Sequence, residues 1–355
     1  MLRVAFAFGL LAATLATTVA AAGPYRAPRT PFGQPDLQGV WDSETATPLM
    51  RPAEFKSVEV SDAAALAYER HANDLDAQAA EFKKAFPRAP DVGAATTEWP
   101  IGPPLRLARI GGVARASILI DPPDGKLPLL PAARERLKAR RLLELRNFDS
   151  PEARPLVEQC LIVSGPPMLV GDSLRIVQTR DHVVLAAEFS QGARIVSLRN
   201  GRHGPAELAP WMGDSIGRWE GDTLVVETTN FNPSTAFWSV GVRIPLSAQA
   251  KVTERFSRTS AQEIIYRFTV EDPANYARPW SGVMPLRPGG RQFGYECHEG
   301  NYAIANILAG ARRAERDGGA PEPLDGGDPP APATRPADAS APPAWRAEAR
   351  SSPPR

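Results

Sequence analysis

The segment KVTERFSRTSAQEIIYRFTVE, residues 251–271, decides the fold of this chain. Two runs in it alternate polar and apolar side chains, as β-strands with one buried face do, and Ser260-Ala261-Gln262 between them supplies a turn. The alternation places Glu254 on an otherwise apolar face. The segment therefore predicts a β-hairpin in which Glu254 either pairs with Arg255 or Arg267 or belongs to a functional site.

Strand patterns of the same kind flank this hairpin on both sides. About eight strands joined by short turns, with no crossover helix between them, predict an antiparallel meander. Because a single sheet of that length would expose its edges, we expect closure into a barrel of lipocalin-like (calycin-like) shape, with a two-layer β-sandwich as the alternative. The other predicted strands are Leu174–Thr179, His182–Phe189, Gly192–Leu198, Ile216–Glu220, Thr223–Thr229, Val283–Leu286 and Gln292–Cys297.

Helical patterns flank the predicted barrel. Ser61–Phe86 begins at an N-cap serine and repeats apolar residues at helical spacing, and Ala303–Glu315 forms a last helix. Pro131–Leu145 is a strongly basic helix, whose cations form either a solvated face or an anion site. We divide the chain into a signal peptide (residues 1–22), an extended, partly helical N-terminal region that packs on the body (23–150), a barrel domain with a C-terminal helix (151–315) and a disordered Pro/Ala-rich tail (316–355).

The two ends of the chain predict where it resides. Arg3, an uncharged apolar run and the small residues Ala20-Ala21-Ala22 form a secretory signal. The run is shorter than the roughly 20 residues that span a bilayer, so a membrane anchor is only the alternative. We expect an exported protein, periplasmic or secreted, with no stable membrane insertion after signal cleavage. A formal net charge of +1 gives no indication of a nucleic-acid partner.

Cys160 and Cys297 are the two cysteines of the chain. In an exported protein such a pair can form a disulfide that closes a long loop, and two separate thiols are the alternative. Their spacing is not that of a CxxC motif, so neither a catalytic thiol nor a thiolate metal site is predicted. The chain also lacks a phosphate-binding loop, a dinucleotide fingerprint, a nucleophile elbow and a HExxH helix, so no cofactor is predicted.

Four groups are candidates for proton transfer. Glu188 ends an apolar strand, His203 lies in a loop, Asp214 opens a hairpin, and Glu299 lies where a strand meets a helix. Each also has a structural interpretation, such as turn capping by Asp214. A metal site would need two distant histidines to converge, and none is predicted. The candidate ligand-binding residues are Trp211, Arg218, Trp219, Trp238, Trp280, His298, Asn301 and Tyr302, of which the tryptophans could instead fill a core.

Five motifs resemble those of a family of exported bacterial proteins with no settled activity. The resemblance runs from about Thr30 to Arg313 and implies relatedness and export, but it carries over no catalytic residue. This chain has Ser190-Gln191-Gly192 where relatives tend to carry a histidine and an aspartate, so a catalytic pair at that place would be missing here. The motifs are Thr30–Trp41 (TPFGQPDLQGVW), Asp121–Pro128 (DPPDGKLP), Gly213–Phe231 (GDSIGRWEGDTLVVETTNF), Thr253–Pro273 (TERFSRTSAQEIIYRFTVEDP) and Tyr295–Tyr302 (YECHEGNY).

The predicted barrel leads us to expect a protein that binds a small, largely apolar ligand in its cavity. One alternative is a lyase, hydratase or isomerase that uses acid–base residues at the mouth of the barrel. The other is an envelope interaction protein that uses the basic helix and the tail. Convergence of Glu188, His203, Asp214 and His298 on one pocket would favour the enzyme, and their dispersal would favour binding or structure.

Overall fold

The computed structural model of the chain describes residues 25–74, 105–156, 158–161, 165–168, 173–188, 193–199, 201–232, 236–239, 242–294 and 296–319. Only the backbone is described at residues 145, 236–239 and 242–243. The predicted signal peptide, the rest of the first predicted helix beyond residue 74, the motif positions 190–192 and the tail from residue 320 lie outside the described residues.

Strands dominate the described part of the chain, and three α-helices accompany them. The strands are β1 (Gly39–Asp42), β2 (Glu59–Val60), β3 (Arg109–Ile110), β4 (Val113–Arg115), β5 (Leu119–Asp121), β6 (Ser173–Gln178), β7 (His182–Ala187), β8 (Ala193–Ser197), β9 (Asp214–Glu220), β10 (Thr223–Thr229), β11 (Ala236–Ser239), β12 (Val242–Pro245), β13 (Lys251–Ser260), β14 (Glu263–Glu271) and β15 (Trp280–Pro288). The helices are α1 (Asp62–Ala72), α2 (Pro131–Arg146) and α3 (Ala303–Arg316).

Nine of these strands close into a barrel, in the order β1-β6-β7-β8-β9-β10-β13-β14-β15 and back to β1. The closing contact pairs Trp41 with Pro288 and Asp42 with Arg287. The predicted lipocalin-like barrel with flanking helices is confirmed. The alternative of a two-layer sandwich is wrong, because the two sheets of a sandwich stay unjoined at their edges.

One pair of neighbouring strands departs from the predicted antiparallel meander. β8 and β9 run parallel and pair only at Val196–Ser215 and Ser197–Ile216. Because parallel neighbours need a long connection, residues 198–199 and 201–213 belong to a segment that returns along the barrel before β9 begins. The first three residues of β8 have no strand partner on this side within the described chain. We call this weakly paired junction the β8–β9 seam.

The barrel takes its closing strand from the N-terminal region, which we predicted only to pack on the body. β1 lies between β6 and β15 and completes the ring. The predicted strand Gln292–Cys297 is wrong, since residues 291–294 and 296 are not in a strand. β1 occupies that edge of β15 instead, and the side chain of Gln292 donates to the carbonyls of Ser173 (3.0 Å) and Ala186 (2.8 Å).

The inward face of the barrel is mostly apolar, and its two sides differ in side-chain size. On the β14–β15 side, Trp280 is fully buried and lies edge-on to the rings of Phe268 and Tyr276, each 5.6 Å away. Residue 282 has to be glycine there, because a Cβ would lie 2.2 Å from the Phe268 ring. Short inward side chains on the opposite wall are Ala187, Val196, Ser215, Val226 and Thr228.

The N-terminal arm, residues 25–38, covers the end of the barrel where the β6–β7, β9–β10 and β13–β14 turns lie, which we call the hairpin end. Leu37 and Trp41 are buried, and Trp41 Nε1 donates to the Leu37 carbonyl at 2.9 Å. The arm also bonds to all three turn regions: Leu37 N to Gln178 Oε1 (2.7 Å), Gln34 Nε2 to the Arg180 carbonyl (3.0 Å), Arg29 to Asp222 (2.5 Å) and Arg258 Nη1 to the Asp36 carbonyl (2.8 Å).

The helices lie outside the barrel. α1 begins as predicted, with Ser61 as N-cap accepting from Ala64 N at 3.3 Å, and it ends at Ala72 with Asn73 as its C-cap. α2 and α3 match their predicted ranges to within one residue. Arg136 ties the basic helix α2 to the loop before β15 by donating to the Ala274 carbonyl. None of the described helices combines the length and the apolarity that crossing a bilayer requires.

Candidate functional site

A charged cluster lies inside the barrel. Arg194 of β8 forms a two-pronged ion pair with Glu254 of β13: its Nη2 donates to Oε1 at 3.0 Å and its Nη1 donates to Oε2. The two side chains are 2% and 0% exposed. Tyr266 of β14 donates its hydroxyl to Glu254 Oε1 at 2.7 Å. We call Arg194, Glu254 and Tyr266 the inner cluster.

Two hydroxyl groups extend the inner cluster toward β9 and β10. Arg194 Nη1 lies 3.4 Å from Thr228 Oγ1, and Thr228 shares a hydrogen bond of 2.9 Å with Ser215. The remaining guanidinium nitrogen, Arg194 Nε, is buried and has no hydrogen-bond partner in the described part of the chain. A buried N–H without an acceptor is costly, because it has lost its water and gained nothing in exchange.

Tyr266 is held as a neutral donor. Burial raises the pKa of the Tyr266 hydroxyl well above its usual value, and the negative charge of Glu254 adds to the rise. The backbone N–H of Met168 donates to the same hydroxyl at 2.8 Å. Residues 165–168 are all buried, so this short segment packs against the inner cluster.

A second cluster lies on the outward face of β9 and β10. His203 Nδ1 is 2.9 Å from Asp214 Oδ2, and its Nε2 is 3.4 Å from Glu227 Oε1. Asp214 also accepts from Gly204 N at 2.8 Å, while Asn230 donates to the Gly204 carbonyl at 3.0 Å. We call His203, Asp214 and Glu227 the outer cluster. Its imidazole is 20% exposed, so solvent reaches it.

The two clusters lie back to back across the wall of the barrel. The register of β9 and β10 pairs Ser215 with Thr228, and both side chains point inward, where they extend the inner cluster. Asp214 and Glu227 are their chain neighbours, and alternation points those carboxylates outward. The end of the β9–β10 hairpin therefore presents a polar group on each face.

The other two proton-transfer candidates do not join His203 and Asp214. Glu188 is half-buried, and its Oε1 accepts from Phe293 N at 3.1 Å. Glu299 is exposed in a turn before α3, where its backbone N–H donates to the Glu296 carbonyl. Of the four candidates, two form a hydrogen-bonded pair and two serve other contacts.

The predicted ligand-binding residues are dispersed. Trp280 belongs to the core. Trp219 faces inward with a buried Nε1 that has no partner within the described chain, and its neighbour Arg218 faces outward and pairs with Glu220 at 2.7 Å. Trp211 is partly exposed in the loop that precedes β9. The side chain of Trp238 lies outside the described residues.

The segment after β15 is tied to the body by a disulfide. Cys160 and Cys297 are bonded, with their Cα atoms 5.5 Å apart, as the pairing alternative predicted. Asn301 Nδ2 donates toward Cys160 Sγ at 2.7 Å. His298, Asn301 and Tyr302 are exposed here, which gives Asn301 a structural contact and leaves the other two on the surface.

Arg194 is the central residue of the inner cluster, and our sequence interpretation missed it. A signal existed, because alternation within Gly192–Leu198 puts Arg194 on the same face as Val196 and Leu198. An arginine at an inward position needs a buried partner, and Glu254 was the carboxylate already assigned to an apolar face. Among the described residues, no group of three or more His, Cys, Asp or Glu side chains is placed to hold a metal ion.

Comparisons with protein-family models, with curated proteins and with solved structures found no match to this chain. Function is therefore inferred from the geometry of the two clusters.

Proposed function

We propose that this protein is exported and that its barrel binds a small, largely apolar ligand at the inner cluster. One observation carries the proposal: Arg194 Nε is a buried donor without a partner in the described chain, while Glu254 fixes the rest of the guanidinium. A ligand that supplied an acceptor would satisfy this donor. The ion pair itself is weak evidence of a purely structural role, because apolar replacements of such pairs are often at least as stable.

The dimensions of the barrel support a small ligand. Barrels of roughly eight strands are just wide enough for packed side chains or one small molecule, and width grows with strand number. Phe268 and Trp280 lie on the β14–β15 side, whereas Ser215, Val226 and Thr228 on the wall near Arg194 are short. The buried apolar side chains Val196 and Val226 on the same wall suit a ligand body that is largely apolar.

The β8–β9 seam favours a route to the inner cluster through the wall of the barrel. The N-terminal arm covers the hairpin end, and the seam is paired at only two positions. Arg194 is the second residue of β8 and lies in the unpaired part of the seam. A ligand would therefore reach the cluster without crossing a continuous hydrogen-bonded wall.

The disulfide supports the export part of the proposal. Disulfides persist in oxidising compartments such as the periplasm and the extracellular space, and they are rare in the cytosol. Cys160 and Cys297 are paired, and no free cysteine lies among the described residues. Fractionation of the producing cells, followed by mass spectrometry of the mature N-terminus, would test it: full-length protein confined to the cytosol would overturn export.

The binding proposal is tested with a neutral fluorescent probe, N-phenylnaphthylamine, titrated into the mature protein. Saturable binding to one site is expected. The outward faces of β6 and β8 carry exposed apolar side chains, Val177 (42%) and Ile195 (62%), which could bind the probe without the barrel. The matched control is therefore Val177→Ser/Ile195→Ser, which should bind as the wild type does. Loss of binding in this control, or no saturable binding in the wild type, would contradict the proposal.

The outer cluster favours acid–base catalysis as the second candidate function. Both ring nitrogens of His203 face carboxylates, and the imidazole remains open to solvent. A positioned imidazole with an orienting carboxylate is the usual arrangement for proton transfer in lyases and isomerases. Once a substrate turns over, His203→Ala should lower kcat at least a hundredfold. Unchanged turnover would remove His203 from any catalytic role.

A further inference from the structure

We infer that the ligand of the inner cluster carries a neutral oxygen acceptor, such as a ketone or ester carbonyl, rather than a carboxylate. This inference rests on the proposed function and specifies its ligand class. The observation behind it is the juxtaposition of an unpartnered donor, Arg194 Nε, with an ion pair whose charges already cancel.

The charges of the inner cluster sum to zero without a ligand. Arg194 contributes one positive charge and Glu254 one negative charge, and the raised pKa of Tyr266 keeps that hydroxyl neutral. Thr228 and Ser215 add only hydroxyl groups. A carboxylate would bring an uncompensated negative charge into a buried region close to Glu254, whereas a carbonyl oxygen has far less hydration to lose.

The hydrogen-bonding capacity of the cluster selects an acceptor. A guanidinium has donors only, so Arg194 Nε can bind an oxygen lone pair but cannot accept from an amine or an amide N–H. Glu254 Oε1 already accepts from Arg194 and Tyr266, and Oε2 accepts from Arg194. Within the inner cluster, the group that the described residues leave without a partner is therefore one donor, Arg194 Nε, which matches one carbonyl oxygen.

The test uses three probes that each have ten carbon atoms and differ only in their polar group. They are methyl octyl ketone, decanoate and decane, each titrated calorimetrically into the mature protein at neutral pH. One hydrogen bond from the buried Arg194 guanidinium to the carbonyl should make the ketone bind about tenfold more tightly than the alkane. Decanoate, which is ionised at this pH, should bind more weakly than the ketone. Infrared spectra of the bound ketone should show its carbonyl stretch at lower frequency than in hexane.

The decisive variant is Arg194→Met/Glu254→Leu, which removes the donor and leaves no unpaired charge. This variant should bind the ketone and decane about equally, and decane should bind to it as to the wild type. Arg199→Met is the matched control, since Arg199 pairs with Asp181 on the surface, and it should keep the full preference. Arg194→Lys, which keeps the charge but moves the donor, should also reduce the preference and serves if the double variant does not fold.

The possible failures are separable. Tightest binding by decanoate would overturn the neutral-acceptor inference and leave ligand binding intact. Equal binding of ketone and decane by the wild type, or an unchanged preference in the double variant, would show that Arg194 Nε does not bind the ligand oxygen. Absence of binding by all three probes, together with no saturable binding of N-phenylnaphthylamine, would overturn the proposed function and this inference with it.

Discussion

The inner and outer clusters use similar chemistry on opposite faces of the barrel wall, and their different exposure to solvent gives them different properties. Each joins a nitrogen-bearing side chain to carboxylate oxygens: Arg194 to Glu254 inside, and His203 to Asp214 and Glu227 outside. The inner groups have lost their water, so each unpaired atom carries a large free-energy cost. The outer groups keep part of theirs and can exchange partners with solvent. Specific ligand recognition therefore fits the inner cluster better, and proton exchange fits the outer one.

The largest effect should come from breaking the inner ion pair. Glu254→Leu leaves the Arg194 charge buried without a partner and should lower the free energy of unfolding by about 3–5 kcal/mol. Denaturant unfolding followed by tryptophan fluorescence measures it. The double variant Arg194→Met/Glu254→Leu should recover most of this loss. A single variant as stable as the wild type would mean that water already solvates Arg194.

A smaller loss is expected from Tyr266→Phe, which removes one hydroxyl from the inner cluster. Glu254 loses a donor and Met168 N loses its acceptor, so unfolding should become easier by about 1–3 kcal/mol. The same denaturation experiment reports it. Phe256→Leu, on the same inward face but without a polar contact, separates lost packing from lost hydrogen bonding. If Tyr266→Phe proved neutral, the buried contacts of its hydroxyl would carry no net stability.

The outer cluster should tolerate truncation better than the inner one. His203→Ala removes two contacts that solvent partly screens, and we expect a loss of about 1 kcal/mol or less in the free energy of unfolding. His71→Ala, in the exposed last turn of α1, is the control and should have no effect. A loss as large as that of Glu254→Leu would erase the contrast between the two clusters.

The smallest effect should come from Glu220, at the exposed tip of the β9–β10 hairpin. Hydrogen bonds from Arg255 and then Arg218 hold the pKa of the Glu220 carboxyl below its usual value. A lowered folded-state pKa gives a stabilisation that is present above the unfolded-state pKa and is lost as pH falls through the folded-state value. Carboxyl NMR titration should show the pKa rising toward its usual value in Arg255→Ala, without a measurable change in the unfolding midpoint. An unchanged titration would show that the ion pair does not form in solution.

The alternation of polar and apolar residues predicted most of the strands, but it could not predict which distant strands contact each other. The alternation of residues 251–271 correctly placed Glu254 on a buried face, and the hairpin that joins β9 and β10 was equally legible. Pairing with Arg194 depends on which strands meet across the barrel, and alternation within one strand carries no information about that. His203 and Asp214 were both predicted as proton-transfer candidates, but Glu227 was not, because the sequence shows it only as one polar position of a strand. The connection between β8 and β9 carries His203, and its course brings the imidazole next to Glu227.

The position of β1 has a consequence for the order of events during folding. This strand is the first of the barrel along the chain, and it pairs with β15, the last. Contacts between such distant parts of a sequence form late and slowly, because a long loop has to close before they can contribute. In a chain emerging from a ribosome, β6 can pair with one edge of β1 early, but the other edge of β1 stays unpaired until β15 has been made. The ring of the barrel therefore closes only after its last strand is present, and the growing chain keeps an open sheet edge until then.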